Sequence, residues 1–248
     1  MAVGQHAWSR VSRRARRLDT QAIRSLSPVL ILAPHQDDET LGCGALIATT
    51  ARMGLRPRVA FLTDGSASHE GSPTWSAQRL AAARRAEALD ALGVLGVPPA
   101  DILFLDWPDA APPPPGSPRY RAALDRLGGW AAGFRPRGLL SPWRGEDHCD
   151  HEAAARLAAD LARTLRPPLK TLDYLVWGWA QRDLPPALGR ATVWGLPCRD
   201  TTLLRRRALA CHATQTSDLI DDARQSFRVP ARLAALTARP MEIYLEHA

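Results

Sequence analysis

Lysine is almost missing from this sequence: Lys170 is the only one, so arginine supplies the rest of the Lys+Arg total of 32. The formal charge of +7 would suit an anionic partner such as nucleic acid. Basic clusters interleaved with aromatics, the mark of a nucleic-acid channel, are absent, and the arginine sits in an Ala- and Pro-rich chain, so compositional drift accounts for it and no nucleic-acid partner is expected. Cysteine is scarce and scattered, as Cys43, Cys149, Cys198 and Cys211 without a CxxC pair, so free thiols are expected. No apolar run approaches the ~18 residues that a membrane span needs. Met1–Arg17 is arginine-rich, but no apolar run of about 7–15 residues follows it, as a secretory signal would require. A cytoplasmic protein is expected, with this stretch a surface helix or frayed arm. Internal repeats and dividing linkers are also missing.

What is present suits a globular fold: 46% of the residues are hydrophobic and 23% charged. One domain over 1–248 is expected, with an extension at 1–27, an α/β core at 28–180 and a C-terminal elaboration at 181–248. Pro28–Ala33 is a continuous apolar run of strand length, as for a strand buried on both faces. Leu41–Gly54 follows with helical spacing and Gly54 as its C-cap. Arg58–Thr63 is a second strand, Thr74–Leu92 a helix ending at Gly93, and Asp101–Leu105 a third strand. Pro112–Pro115 forces an extended loop. A helix at about Arg119–Phe134, a strand Gly138–Ser141, a helix Glu152–Leu165 and strands at Leu172–Trp179 and Thr192–Leu196 complete the pattern. This alternation predicts a Rossmann-like three-layer sandwich with a mostly parallel central sheet. The first strand is followed by Gly42-x-Gly44 with no third glycine, which argues against dinucleotide binding.

Two polar clusters fall at strand ends, where ligands bind in such sheets. After the first strand comes Pro34-His35-Gln36-Asp37-Asp38-Glu39, and after the fourth comes Asp147-His148-Cys149-Asp150-His151-Glu152. A catalytic zinc takes three protein ligands and keeps one position open. His35, Asp38 and His151 would supply a His₂Asp set, leaving Asp37 to take a proton. The plainer alternative is that Asp37-Asp38-Glu39 caps a helix N-terminus and that His148–His151 is a solvated helix start. Adjacent carboxylates repel unless a cation offsets them, and two such clusters in one chain favour a metal site.

These clusters resemble the paired PHPDDE and HPDH signatures of the PIG-L (LmbE-like) N-acetylglucosaminyl deacetylase family. Thr63-Asp64-Gly65, Arg84-Arg85-Ala86-Glu87 and Pro108-Asp109 are similar to further family features, over roughly residues 28–160, and beyond that stretch only Ala208–Gln215 resembles a family helix, one carrying His and Gln. The resemblance implies a zinc-dependent N-deacetylase acting on a small amino-sugar substrate, with iron able to replace zinc. It implies His35, Asp38 and His151 as metal ligands, Asp37 as general base, and His148 as the group that stabilises the oxyanion or protonates the amine. Asp150 would orient one of the histidines. Arg84 and Asp109 match substrate-contacting positions, although Arg84 could equally pair with Glu87 on its helix. Gln36 and Cys149 stand where the family most often has proline; Cys149 is expected to be a packed thiol, with metal contact the alternative.

Substrate identity is not written in the chain. Trp107 and Trp143 lie beside the expected site, where aromatic faces stack on sugars, but core packing is the commoner fate of Trp. The Ala111–Pro118 loop could wall the pocket or be a bare excursion. A metal-dependent amidase acting on a non-sugar or thiol-conjugate amide is the runner-up, and a metal-free binding protein is a third reading.

Overall fold

The computed structural model describes residues 8–181, 184 and 188–247. Arg16–Arg17 (β1), part of the expected N-terminal arm, forms an edge strand. Thr20–Leu26 (α1) follows, with Asp19 accepting the Ala22 N–H at 2.9 Å as its cap. Then come Val29–Ala33 (β2), Asp38–Arg52 (α2), Arg58–Thr63 (β3), His69–Glu70 (β4), Ala77–Leu95 (α3) and Ile102–Trp107 (β5). Pro118–Ala132 (α4), Gly138–Pro142 (β6), Cys149–Thr164 (α5) and Lys170–Tyr174 (β7) continue the alternation. Last are Thr192–Pro197 (β8), Thr202–Cys211 (α6), Ala213–Thr216 (α7), Gln225–Ser226 (β9), Ala231–Ala234 (α8) and Met241–Glu246 (β10).

Among the described residues an eight-stranded sheet runs in the order β1-β8-β10-β7-β6-β2-β3-β5, and β10 alone is antiparallel to its neighbours. β2 is wholly buried, as its unbroken apolar sequence requires. Its alternate residues face opposite layers: Val29 and Ile31 meet α2, α3 and α6, whereas Leu30 and Leu32 meet α4 and α5. The result is a three-layer α/β sandwich. From β2 the chain builds outward to β3 and β5, then crosses back to β6 on the other side. The switch point therefore lies between β2 and β6, where open α/β sheets bind ligands beyond the carboxyl ends of the strands. Among the described residues no helix is long and apolar enough to cross a membrane.

Several boundaries differ from expectation for identifiable reasons. α2 starts at Asp38 rather than Leu41, taking Asp38 and Glu39 into its first turn, where the helix dipole favours acids. α3 runs through Gly93 and stops at Gly96, whose φ of 90° supplies the left-handed cap. The strand expected over Leu172–Trp179 ends at Tyr174, because the N–H groups of Val176 and Gly178 bond the Glu146 carboxylate at 2.6 and 2.8 Å instead of a neighbouring strand. β10 was not anticipated, since Glu242 breaks its apolar run. Burial of that carboxylate is offset by the Ala45 and Leu46 N–H groups at 2.6 and 3.0 Å.

Candidate metal centre and active site

His35 leaves the end of β2 and His151 lies in the first turn of α5, which follows β6. The topology brings them together with ring centroids 5.5 Å apart. Asp38 Oδ2 stands 3.2 Å from His35 Nδ1 and 3.3 Å from His151 Nε2. The remaining nitrogen of each ring faces carboxylates: His35 Nε2 is 3.2 Å from both Asp109 and Asp150, and His151 Nδ1 is 2.7 Å from Glu146. Such backing fixes the tautomer of a metal-ligating histidine.

The residues fit a divalent ion on the structure's own terms. One donor atom from each of His35, Asp38 and His151 lies within 4.8 Å of the others, and buried His151 Nε2 has no hydrogen-bond partner. Donors at bond lengths of about 2.0–2.1 Å in a tetrahedron stand roughly 3.3 Å apart, which the two measured spacings match. A second grouping of His35, His148 and Asp150 shares His35. Its Asp150 is the carboxylate that backs His35 in the first grouping, so the two groupings compete for the same residues.

Asp37 occupies φ 150° and ψ −25°, a conformation that costs roughly 1–3 kcal/mol in a non-glycine residue. Two contacts hold it there. Glu39 Oε2 accepts the Asp37 N–H at 3.0 Å, and Arg84 Nη2 donates to the Gln36 carbonyl at 3.0 Å. The Asp37 carboxylate makes no helix-capping bond, so the plain capping reading fails for this residue. Burial and the neighbouring Asp38 charge push its pKa up to about 6, against the pull of Arg84 and His212. Asp38 goes the other way: burial opposes ionisation, but the close imidazoles of His151 and His35 hold it well below the usual carboxylate range.

His148 is the N-cap residue of α5, and its Nδ1 accepts the Asp150 N–H at 3.3 Å. Burial and the nearby His35 and His151 charges lower its pKa. The neutral ring with Nδ1 accepting carries its proton on Nε2, so it can donate there. Asp150 contacts His35 more closely than His148, at 3.2 against 3.8 Å.

Arg84 is buried and donates to the Gly65 and Gln36 carbonyls, with Asp37 at 3.9 Å. The alternative Arg84–Glu87 pair does not form, because Glu87 accepts the Thr214 N–H and hydroxyl at 2.8 and 2.6 Å. Gly65 at φ 70° admits this clamp; a Cβ there would strike Gln36 and Arg84. Gln36 itself turns inward and donates to the Thr63 carbonyl at 2.8 Å. Asp109 accepts the Ala67 N–H at 2.9 Å, and although burial opposes it, His35 and Arg84 bring its pKa down to about 2.

Cys149 is exposed, contrary to the packed thiol expected, because the inward positions of the helix start belong to Asp150 and His151. Neither metal grouping includes it. Trp107 stacks on Tyr120 in one core layer and Trp143 is buried in the other, so neither lines the site. The Ala111–Pro118 loop does not border the cavity, although Asp109 and Ala110 just before it do; the cavity is a space of about 260 Å³ with His35, Asp37, Asp38, Arg84, Asp109 and His148 at one end.

Sequence reasoning missed Glu146, Trp177 and Phe227, and gave His212 no role beyond its place in the family-like stretch Ala208–Gln215. Glu146 backs His151, and its only sequence signal is its nearness to the second cluster. Buried His212 lies 3.3 Å from Glu39, the residue that holds the Asp37 backbone. Trp177 and Phe227 border the cavity from the C-terminal third of the chain, where no motif marks them.

Comparison with known proteins gives the same picture at the level of the fold. N,N'-diacetylchitobiose deacetylase from Pyrococcus horikoshii is 21% identical, with a TM-score of 0.58 over 88% of this chain and 77% of that one. A 4-carboxy-2-hydroxymuconate hydratase from Pseudomonas putida is 19% identical, with a TM-score of 0.63 over 85% and 82%. A zinc-inhibited form of a teicoplanin deacetylase is 17% identical, with a TM-score of 0.59 over 88% and 96%. At these identities the likeness establishes shared architecture, which by itself hosts more than one chemistry. No curated protein matches. The model of the PIG-L, or GlcNAc-PI de-N-acetylase, family matches residues 30–162, over half of the 248 residues and both polar clusters; the chain belongs to that family.

Proposed function

We propose that this protein is a zinc-dependent hydrolase that removes an N-acetyl group from an amino-sugar conjugate. The observation that carries the reading is the convergence of two carboxylate-backed histidines on Asp38, with a separate carboxylate, Asp37, beside them. His35, Asp38 and His151 would hold the ion, and iron(II) suits the same donors. When bound, the ion would polarise the acyl carbonyl and acidify water.

The remaining steps belong to side chains. Asp37, whose raised proton affinity suits a base near neutral pH, takes the proton of the attacking water. The His148 Nε2–H donates to the oxygen that gains charge as the carbonyl becomes tetrahedral. Collapse then needs a proton on the departing amine, and Asp37 returns the one it took from the water. Arg84 borders the cavity and fixes Asp37 through the Gln36 carbonyl. The Asp109 oxygens accept from Ala67 and His35 yet retain lone pairs for a sugar hydroxyl.

The test is amine release from a panel of N-acetylated sugars and a non-sugar acetamide, before and after chelation. Chelated protein should lose activity and bound metal together, and regain both on adding zinc. Undiminished turnover by verified metal-free protein would refute the proposal.

A further inference from the structure

The cavity has two unlike ends. One holds the titratable residues described above, all within the family-matched stretch. The other is lined by Leu41, Val176, Trp177, Phe227, Val229 and Leu233. The hydrogen-bonding side chains beside this wall are the Trp177 indole N–H and the Ser68 hydroxyl, and the latter already pairs with His69 Nδ1 at 3.1 Å and Gln215 Nε2 at 3.1 Å. Trp177 and Phe227 pack together with ring centroids 5.5 Å apart. All but Leu41 lie beyond residue 162, where the family match ends.

This wall is built into the fold. β9 pairs with β4, and the Phe227 N–H donates to the Ser68 carbonyl at 2.7 Å. The Val229 N–H bonds the Gln215 carbonyl at 2.8 Å, and Gln215 Nε2 reaches Ser68 Oγ at 3.1 Å. The Trp177 turn is pinned by Glu146, whose other oxygen faces His151. The apolar end is thereby fixed in register with the candidate metal ligands.

A hydroxyl-bearing ring placed against this apolar wall would leave the hydroxyls on that side facing groups that cannot accept or donate. An apolar group gains there by leaving water. We infer that the substrate carries an apolar substituent, seated against Trp177 and Phe227, in addition to the acylated amino-sugar. The inference rests on the deacetylase reading for the position of the reacting amide. The substituent could be the chain of the acyl group or an aglycone, and the experiment separates them.

Binding is measured by calorimetry on zinc-loaded Asp37→Asn protein, and amine release on the wild type. In the first arm the methyl glycoside of N-acetylglucosamine is compared with its phenyl glycoside. The second arm compares the N-acetyl with the N-hexanoyl methyl glycoside. Preference for the apolar member by roughly 10-fold or more in either arm is expected, since each buried methylene is worth about 4-fold. Phe227→Ala and Trp177→Ala should each shrink that ratio. Equal affinity in both arms, absence of binding by every probe, or a ratio unmoved by both substitutions overturns the inference. Amine release without any apolar preference sinks the apolar subsite and leaves the hydrolase standing. Apolar preference in binding with no amine release from any probe does the reverse.

Discussion

Asp37 and Asp38 are adjacent and chemically alike, yet their surroundings drive their proton affinities apart. Asp38 faces two imidazoles and stays ionised, whereas Asp37 faces burial and its neighbour's charge and rises to about 6. That division suits one carboxylate to metal binding and the other to proton transfer. Replacing Asp37 by Ala should lower kcat by about 10²–10⁴-fold while leaving zinc content by atomic absorption unchanged; loss of the metal would reassign Asp37 as a ligand. A bound dication pulls the Asp37 pKa down, so the acid limb of kcat/KM should lie at or below pH 6, where the carboxylate takes up its proton. Glu146 tests the backing of His151. Glu146→Gln should weaken zinc about 10–100-fold in chelator competition, and unchanged affinity would leave Glu146 as a clamp for the Trp177 turn alone. The residues legible in the sequence were those in the contiguous clusters, His35 to Glu39 and His148 to His151, together with Arg84 and Asp109 at shorter motifs. Glu146, Trp177 and Phe227 escaped because tertiary packing assembles their roles without a local pattern, and His212 was marked only as part of Ala208–Gln215, without its contact to Glu39.

At the level of elements, the start of α2 carries the acids while its next turn packs against β7. Gly42 makes that approach possible, because a Cβ there would overlap the Tyr174 ring, whose hydroxyl donates to the Leu32 carbonyl at 2.9 Å. Gly42→Ala should cost roughly 1–3 kcal/mol in denaturant unfolding through overpacking and disturb the register of Asp38. An unchanged midpoint would mean that the Tyr174 ring can move aside. Strands β2 and β3 were readable because burial writes a nearly uninterrupted apolar run, and β5 and β6 because short apolar runs, Ile102–Leu105 and Leu139–Leu140, lie at or next to their starts. The end of β7 was not, since its apolar letters continue into a turn held by a remote carboxylate. Gly93 misled in a similar way: glycine inside a helix costs only about 1 kcal/mol relative to alanine, so it need not end one.

For the whole molecule, Asp173 links stability to pH. It sits on β7, and burial, with the Glu146 charge, raises its pKa from 3.8 to about 7 despite Arg144. His247 Nε2 lies 3.1 Å away, but burial and Arg144 lower the pKa of that ring, so near neutral pH it brings no cation. A raised acid favours the folded state while protonated. Its contribution is full below about pH 4 and is lost as the pH climbs to 7. Asp173→Asn cannot ionise, so its Tm relative to wild type should rise between pH 5 and pH 8; a constant difference would show that Asp173 does not titrate in that window.

β10 lies between β7 and β8 and runs against both. The sheet therefore cannot be laid down in chain order. Until residues 241–246 arrive, β8 and the β1 edge have nothing to join, and β7 presents a bare row of amides and carbonyls able to recruit a strand from another molecule. A proline at Ile243 would hold the chain in that half-zipped condition, splitting off two strands while β7, β6, β2, β3 and β5 keep their pairing. Clumping during refolding would be the first sign of damage at this seam.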